Sequence, residues 1–321
     1  MILYVLRRCL YTIPVLVLSS FLSFVFVSFA GDPSATLRAN PRFSLTTLHH
    51  LRHQYHLDQP VVIRYFHWVH DVFTQKLGDS LITGQPIWPD ISRTFLHTLQ
   101  LITLSETLAI AIGLAIGIYS AVRQYSAGDY FFTAFSFVGF ALPTFWLALL
   151  LQTLFVDVYL KWHVRIFYTS GLSSHGGGAW SLDRLQHLAL PVVTLCIISL
   201  GLYSRFTRAS MLDVMSADYV RTARGKGIPE WRVILGHVLR NALIPVVTVA
   251  ALNVGGLLGG AIVTETVFSL DGIGFYFVNK LGQLDLYAVM GYLLVTSVLV
   301  VALNLVADVL YGWLDPRVRL D

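Results

Sequence analysis

Six long apolar runs alternate with polar segments along the chain, at approximately residues 9–30, 97–121, 130–158, 187–204, 242–268 and 288–311. Each satisfies or approaches the roughly 20 mostly apolar residues that a helix needs to cross a bilayer. The pattern therefore predicts an all-α integral membrane protein with six transmembrane helices. The fourth run, "HLALPVVTLCIISLGLY", is short and carries His187 and Pro191. The first run follows Arg7 and Arg8 and precedes "GDP". Short loops rich in Lys and Arg resist translocation, so the amino terminus is expected in the cytoplasm. Six spans then return the carboxyl-terminal "DPRVRLD" to the same side. Ser28 to Ala30 resemble a small-residue cleavage site, but the apolar stretch exceeds the 7–15 residues of a signal peptide, and an uncleaved first span is expected.

Residues 31–96 are too polar to span and too patterned for disorder, which predicts an external helical segment between spans 1 and 2. Ser44 is placed to cap a short helix carrying Leu48, Leu51 and Tyr55. A second helix is expected after Asp58 and Pro60, an N-cap candidate and an early-turn proline. Its apolar face would use Val62, Tyr65, Val69, Val72 and Phe73, with Gly78 placed to end it, and both helices are expected to lie against the outer membrane face or against a partner. The expected organisation is a cytoplasmic amino terminus and first span (1–30), the external segment (31–96), a transmembrane core with a cytoplasmic loop at 205–241 (97–311) and a cytoplasmic tail (312–321).

Between the fourth and fifth runs lies "RFTRASMLDVMSADYVRTARGKGIPEWRVILGHVLRNALIP", residues 205–245, which holds Arg205, Arg208, Arg221, Arg224, Lys226, Arg232 and Arg240 against Asp213, Asp218 and Glu230. This bias places it in the cytoplasm. Met211, Met215 and Tyr219 share a helical face at i, i+4, i+8, and Arg221 and Arg224 lie one turn apart. Gly225 and Gly227 are expected to stop the helix, with Pro229 marking the turn into a second basic amphipathic helix. By residue type alone, two readings stay open: a linker lying on anionic lipid, or a lever seated in a groove on a soluble partner.

Composition agrees with the membrane reading: 55% of the 321 residues are hydrophobic, 12% are charged, and the mean hydropathy is +0.67. The net charge of +4 comes from short loops beside spans. Orientation in the bilayer explains it, and nucleic-acid binding is not expected. Cys9 and Cys196 lie in or beside apolar runs and read as small hydrophobes. Seven of the eleven histidines fall between residues 49 and 97. His49, His53 and His56 would share one helical face, but no carboxylate or Cys completes a metal site, so solvated or interfacial histidines are expected. "RGKGIP" lacks the upstream glycine and following hydroxyl of a phosphate loop, and GxSxG, HExxH and CxxC are absent. No hydrolytic site is expected in this chain, so energy for any work would come from a partner or an ion gradient.

"DYVRTARGKG" followed by "HVLRNALIP" resembles the cytoplasmic coupling loop of ABC-importer permeases, specifically the oligopeptide/dipeptide/nickel class. The likeness runs along the whole chain, through "YVLRRCLYTIPVLVLSSFLSFVFVSFAGDP", "LDQPVVIRYFHWV", "GDSLITGQPI", "GFALPTFWLALLL", "ETVFSLDGIG" and "NLVADVLYGWLDPRVRL", in the family's order. Against the general pattern E-A-A-x3-G-x9-I-x-L-P, Arg221 stands in the Glu place and Thr222 in that of the first Ala. Ala223 and Gly227 match, His237 takes the Ile place, and Arg240 takes the final Pro place. The peptide class is similar to this chain at those positions.

The resemblance implies a bacterial inner-membrane permease with the type I ABC-importer fold, importing oligopeptides or dipeptides. Implied partners are a second homologous permease chain, two ATPase subunits that bind ATP and Mg, and an extracytoplasmic substrate-binding protein. No cofactor is implied in this chain. Coupling to the ATPase is carried over to Tyr219, Val220, Arg221, Thr222, Ala223, Lys226 and Gly227. Gly227 would supply the turn, Tyr219 and Ala223 a docked apolar surface, and Arg221 and Lys226 charge complementarity.

Glu106, Asn253 and Gly256 are the candidates for the translocation path. Glu106 sits near the middle of its run, where a carboxylate faces a cavity, a partner or a neighbouring helix. Asn253, Glu265 and Asp308 lie nearer the ends of their spans or within the family-like blocks. Gly113 with Gly117, and Gly255, Gly256, Gly259 and Gly260, form small-xxx-small pairs that predict close helix packing. Pro143 and Pro191 invite kinks. Two rivals remain: import of nickel or another metal chelate by the same architecture, and a proton-coupled carrier using Glu106 and Asp308.

Overall fold

The computed structural model describes residues 2–31, 46, 52–53, 55–74, 77–174, 176 and 178–314. The helix expected around Ser44, Leu48 and Leu51, together with His49 and the last seven residues of the tail, lies outside the described residues.

The described residues form α1 (Ile2–Ala30), α2 (Val61–Thr74), α3 (Ile87–Val122), α4 (Ala127–Ala141), α5 (Thr144–Trp162), α6 (Leu182–Met215) and α7 (Asp218–Gly225). A single helical turn, Glu230–Arg232, and a π-helical segment, Val233–Val238, lead into α8 (Leu239–Val267), followed by α9 (Ile273–Gly282) and α10 (Leu286–Leu314). Among the described residues, six stretches are long and apolar enough to cross a membrane: Leu10–Phe29, Ile87–Val122, Thr144–Trp162, Leu182–Met215, Glu230–Leu257 and Leu286–Ala307.

Three differences from the sequence pattern have local causes. The run at 130–158 is not one helix: Leu142 and Pro143 are both extended (ψ 129° and 132°), separating α4 from α5. Proline disfavours the helical conformation in the residue before it and lacks an N–H to continue the ladder. Pro191, in contrast, sits inside an unbroken 34-residue α6. Finally, Met211, Met215 and Tyr219 do not share one helix, because α6 ends at Met215 and Ala217 is extended before α7 begins.

The chain forms two compact units. One consists of Gln100–Leu270 with Ala302–Asp321, the other of Ile2–Leu99 with Asp271–Val301. In the first unit α6 is the central helix and packs against α4, α5 and α8. Backbone approach is closest where small residues face it. A Cβ on Gly117 would stand 2.5 Å from the Thr207 Cβ and 2.8 Å from the Ser204 carbonyl oxygen, and one on Gly113 would stand 2.7 Å from the Tyr203 Cβ. Close packing therefore holds for the Gly113–Gly117 pair. It does not hold at Gly256, where an added Cβ meets nothing within 4 Å.

In the second unit, α1 and α2 share an aromatic cluster in which Phe24, Tyr65 and Trp68 are all buried. Helix α2 starts where Pro60 places its carbonyl to accept from the Ile63 and Arg64 amides. The apolar face expected for it is divided: Tyr65 turns inward, while Val62 and Phe73 are exposed. His56 has φ 53° and lies outside any helix, its ring stacked on His67 at 4.0 Å. The helical histidine face expected at His49, His53 and His56 is thereby broken at His56.

The loops between helices in this unit are tied by polar side chains. Asp285, fully buried, accepts from Ser80 Oγ at 2.5 Å, from the Leu81 amide at 3.1 Å and from Lys280 Nζ at 3.4 Å. Asp271 pairs with Arg93, and Thr98 Oγ1 accepts from the Ile273 amide at 2.8 Å. The contacts of Asp285 give a physical reason for Ser80 in "GDSLITGQPI", since its hydroxyl satisfies a carboxylate that packing removes from water, whereas the Asp271–Arg93 pair beside "SLDGIG" is exposed.

Candidate functional site

Helix α7 and the turn after it form a small, two-faced projection of the first unit. Asp218 opens the helix in its first turn and Arg224 stands in its last, both favourable to the helix dipole. Val220 and Ala223 are three residues apart and lie on one face. They pack into an apolar cluster with Ala121, Met211, Val233, Ile234, Val238 and Ala242, leaving Val220 0% and Ala223 6% exposed. The chain then turns at Gly227, whose φ of 75° is readily adopted only by glycine. Arg224 bridges the turn to Glu230 at 2.6 Å.

The opposite face is open. Tyr219, Arg221, Thr222, Lys226 and Gly227 are all exposed. Asn241 Nδ2 donates to the Tyr219 hydroxyl at 2.9 Å, which fixes that ring beside the start of α8. Arg221 has an exposed neighbour in Asp218 at 3.9 Å. Trp231 and Leu235, both exposed, extend the surface along the following turn, with the Arg232 guanidinium 5.0 Å from the Trp231 ring.

Seven residues were expected to meet a partner here, and two of them do something else. Val220 and Ala223 face inward and seat the helix on its own chain, so the docked apolar role expected of Ala223 is corrected. An amphipathic helix of eight residues presents a small apolar side and a polar side, and spacing alone does not tell which one the same chain covers. Trp231 and Leu235 were not anticipated; as two large apolar residues four apart in a basic loop, they carried a readable signal.

The second place is the middle of the first unit. Glu106 on α3 is buried and accepts from Ser199 Oγ at 2.7 Å and from the Tyr203 hydroxyl, both on α6. Asn253 on α8 donates from Nδ2 toward the same carboxylate at 3.3 Å and lies 3.1 Å from the Tyr203 hydroxyl. Two of the expected path residues, Glu106 and Asn253, thus meet in one network, while Gly256 lies apart and open. The geometry makes Glu106 a tie between three helices, because the donors around it occupy both carboxylate oxygens. Ser199 and Tyr203 were missed. Their spacing of four residues, which puts both hydroxyls on one face, was the signal in an otherwise apolar run.

A third polar contact lies at the start of α4. Asp129 caps the turn by accepting from the Tyr125 amide at 3.0 Å and receives both Arg208 donors, Nε at 3.0 Å and Nη2 at 2.9 Å. The Arg208 guanidinium, hydrogen-bonded to the buried Asp129 carboxylate, holds its pKa down at about 2. No group of three or more His, Cys, Asp or Glu residues suited to a metal ion occurs among the described residues.

Comparison with known proteins places these features in a family context. Residues 113–320 match the family described as "Binding-protein-dependent transport system inner membrane component", and residues 1–115 match its amino-terminal domain. The chain is 38% identical to the oligopeptide transport system permease protein AppB of Bacillus subtilis (strain 168), over 98% of this chain and 99% of that protein. It is 33% identical to the dipeptide transport system permease protein DppB of Escherichia coli (strain K12), over 99% of each. It is also 38% identical to the glutathione transport system permease protein GsiC of Salmonella typhimurium (strain LT2), over 98% of each.

Proposed function

The chain belongs to the family of binding-protein-dependent transport system inner membrane components, and from that membership we propose that it is one of two permease subunits of an ATP-driven importer of short peptides. As a permease component it is a multi-pass inner-membrane protein and not itself an enzyme. The observation that carries the substrate class is the near full-length similarity to proteins named for oligopeptide, dipeptide and glutathione transport. These names do not favour nickel or another metal chelate.

In this reading α7 is the contact with the ATPase. Tyr219, Arg221, Thr222 and Lys226 face the partner, Gly227 supplies the turn, and Val220 and Ala223 fasten the helix to the apolar cluster at the ends of α6 and α8. Force applied to the exposed face passes through Val220 and Ala223 into Met211 on α6 and Ala242 on α8. Partner ATPases hold ATP and Mg, an external binding protein delivers peptide, and a second homologous permease completes the path. Arg7 and Arg8 before the first span, and the basic α7 loop, support a cytoplasmic position for both termini and α7 in this reading. Glu106 and Asn253 keep the helices of this half in register.

The test is purification of the tagged protein in mild detergent from its own membrane, with mass spectrometry of what accompanies it. Two ATPases, a second permease and a peptide-type binding protein are expected. Recovery of this chain alone, active in proton-driven peptide uptake, would overturn the proposal.

A further inference from the structure

Helix α2 carries two apolar sides, and α1 covers only one of them. Toward α1 it turns Arg64, Tyr65 and Trp68, all buried. Away from α1 it exposes Val62 (50%), Phe66 (65%) and Phe73 (84%), with Ile63 at the margin. At about 100° per residue, Val62, Phe66 and Phe73 fall within one narrow sector of the helix. His67, Asp71 and Thr74 occupy a polar sector beside it. Tyr65 and Val69 point in the direction opposite that polar sector.

The depth of this helix follows from its contacts with α1. The apolar run of α1, residues 9–30, lies between Arg8 and Asp32, and at 1.5 Å per residue it spans about 30 Å, the thickness of the hydrocarbon core. Helix α2 meets it at Phe24, whose ring lies 5.7 Å from Tyr65 and 6.0 Å from Trp68. The Tyr65 hydroxyl reaches Ser20 Oγ at 2.9 Å. Phe24 lies about 7 Å along the helix from Phe29, and Ser20 about 14 Å. Helix α2 therefore lies below the membrane boundary at the Phe29 end, at the roughly 5–10 Å depth of an interfacial helix. Its polar sector is turned toward the headgroups, and Tyr65 points deeper.

We propose that α2 is immersed in the leaflet at the Phe29 end of α1, with phospholipid acyl chains covering Val62, Phe66 and Phe73. On α1 itself Leu22, Phe26 and Phe29 are exposed as well, on the side of that helix opposite Phe24 and α2. Helix α2 is thus a membrane-immersed strut fastened to the first span by Tyr65 and Trp68. It is not a helix standing in the aqueous phase.

Site-directed spin labelling of the assembled complex in lipid nanodiscs tests this. Single cysteines are introduced as Phe66→Cys, Phe73→Cys and, on the polar sector, Thr74→Cys, in a background with Cys9 and Cys196 replaced, and only assembled complex is scored. Positions 66 and 73 should collide more with dissolved oxygen, which partitions into lipid, than with a water-soluble nickel chelate, and position 74 should show the reverse. Chelate access at 66 and 73 equal to that at 74 would overturn the proposal in favour of an aqueous helix. Shielding of 66 and 73 from both reagents would overturn it in favour of a protein partner on the stripe.

Discussion

Replacing Val220 by Ala tests whether α7 has one face for its own chain and another for a partner. The Val220 side chain is 0% exposed within the cluster that joins α6, α7, the π segment and α8. Removing two methyl groups forfeits about 0.8 kcal/mol each, or about 1.6 kcal/mol in all. The unfilled space raises the loss to about 2 kcal/mol. Since every 1.4 kcal/mol is about a tenfold change in an equilibrium, the seated form of α7 should lose at least tenfold in its population ratio. The matched change on the other face is Arg221→Glu. Its exposed pair with Asp218 at 3.9 Å is worth at most about 1 kcal/mol, so its loss should leave the fold intact. The assay is thermal unfolding of the purified permease, read beside ATP-driven uptake and ATP hydrolysis by the reconstituted complex. Val220→Ala should lower the melting temperature and reduce uptake per ATP hydrolysed. Arg221→Glu should melt like the parent, yet bind the ATPase more weakly, with an altered salt dependence. A melting point for Arg221→Glu as low as that of Val220→Ala, or parental melting and coupling in Val220→Ala, would refute the two-faced assignment.

Four further outcomes follow from the geometry. Glu106→Ala strands the hydroxyl donors of Ser199 and Tyr203, at roughly 1–3 kcal/mol for each one left unsatisfied, while Asn253 Nδ2 keeps both hydroxyl oxygens as acceptors; a loss of melting temperature larger than that of Glu106→Gln is expected. Gly117→Val forces a side chain into the 2.5 Å gap at Thr207 and should abolish stable insertion or assembly, as read by gel filtration in detergent. Gly227→Val places a branched residue at φ 75°, at a cost of about 1–2 kcal/mol, and should uncouple ATP hydrolysis from uptake while the protein remains in the membrane. The Asp129 carboxyl is held at about 2, below its ordinary 3.8, so the stability it contributes is present above the ordinary value and lost as pH falls from there toward 2. Asp129→Asn should flatten that part of the acid-unfolding curve and, because Arg208 remains 28% exposed, cost somewhat less than the roughly 3–5 kcal/mol of a fully buried pair.

Much of this molecule is legible in its sequence because a bilayer imposes a coarse rule: apolar runs of sufficient length become helices. Five of the six runs lie within single helices. The run at 130–158 misleads because its composition is continuous across Pro143, whereas the backbone is not. The coupling segment was readable in its glycines and charges, but not in the sense of its faces, since Val220 and Ala223 are as suited to a partner's groove as to their own chain's cluster. The carboxylate of Glu106 stood out in the sequence; its partners did not, because hydroxyls at Ser199 and Tyr203 are common within apolar helices and their convergence on α3 depends on the Gly113 and Gly117 contacts that bring the helices together. At His56 the loss of helix, marked by its φ of 53°, overrides a histidine periodicity that continues on paper.

ATP-dependent uptake in a purified system tests the central claim most directly. The permease pair, the ATPases and the binding protein are reconstituted in proteoliposomes, and accumulation of a radiolabelled dipeptide or tripeptide is followed with and without ATP, and with and without an imposed proton gradient. The account predicts uptake that requires ATP and the binding protein, is indifferent to the proton gradient, and is reduced by Val220→Ala. Uptake driven by the proton gradient in vesicles that contain this chain without any ATPase would contradict it.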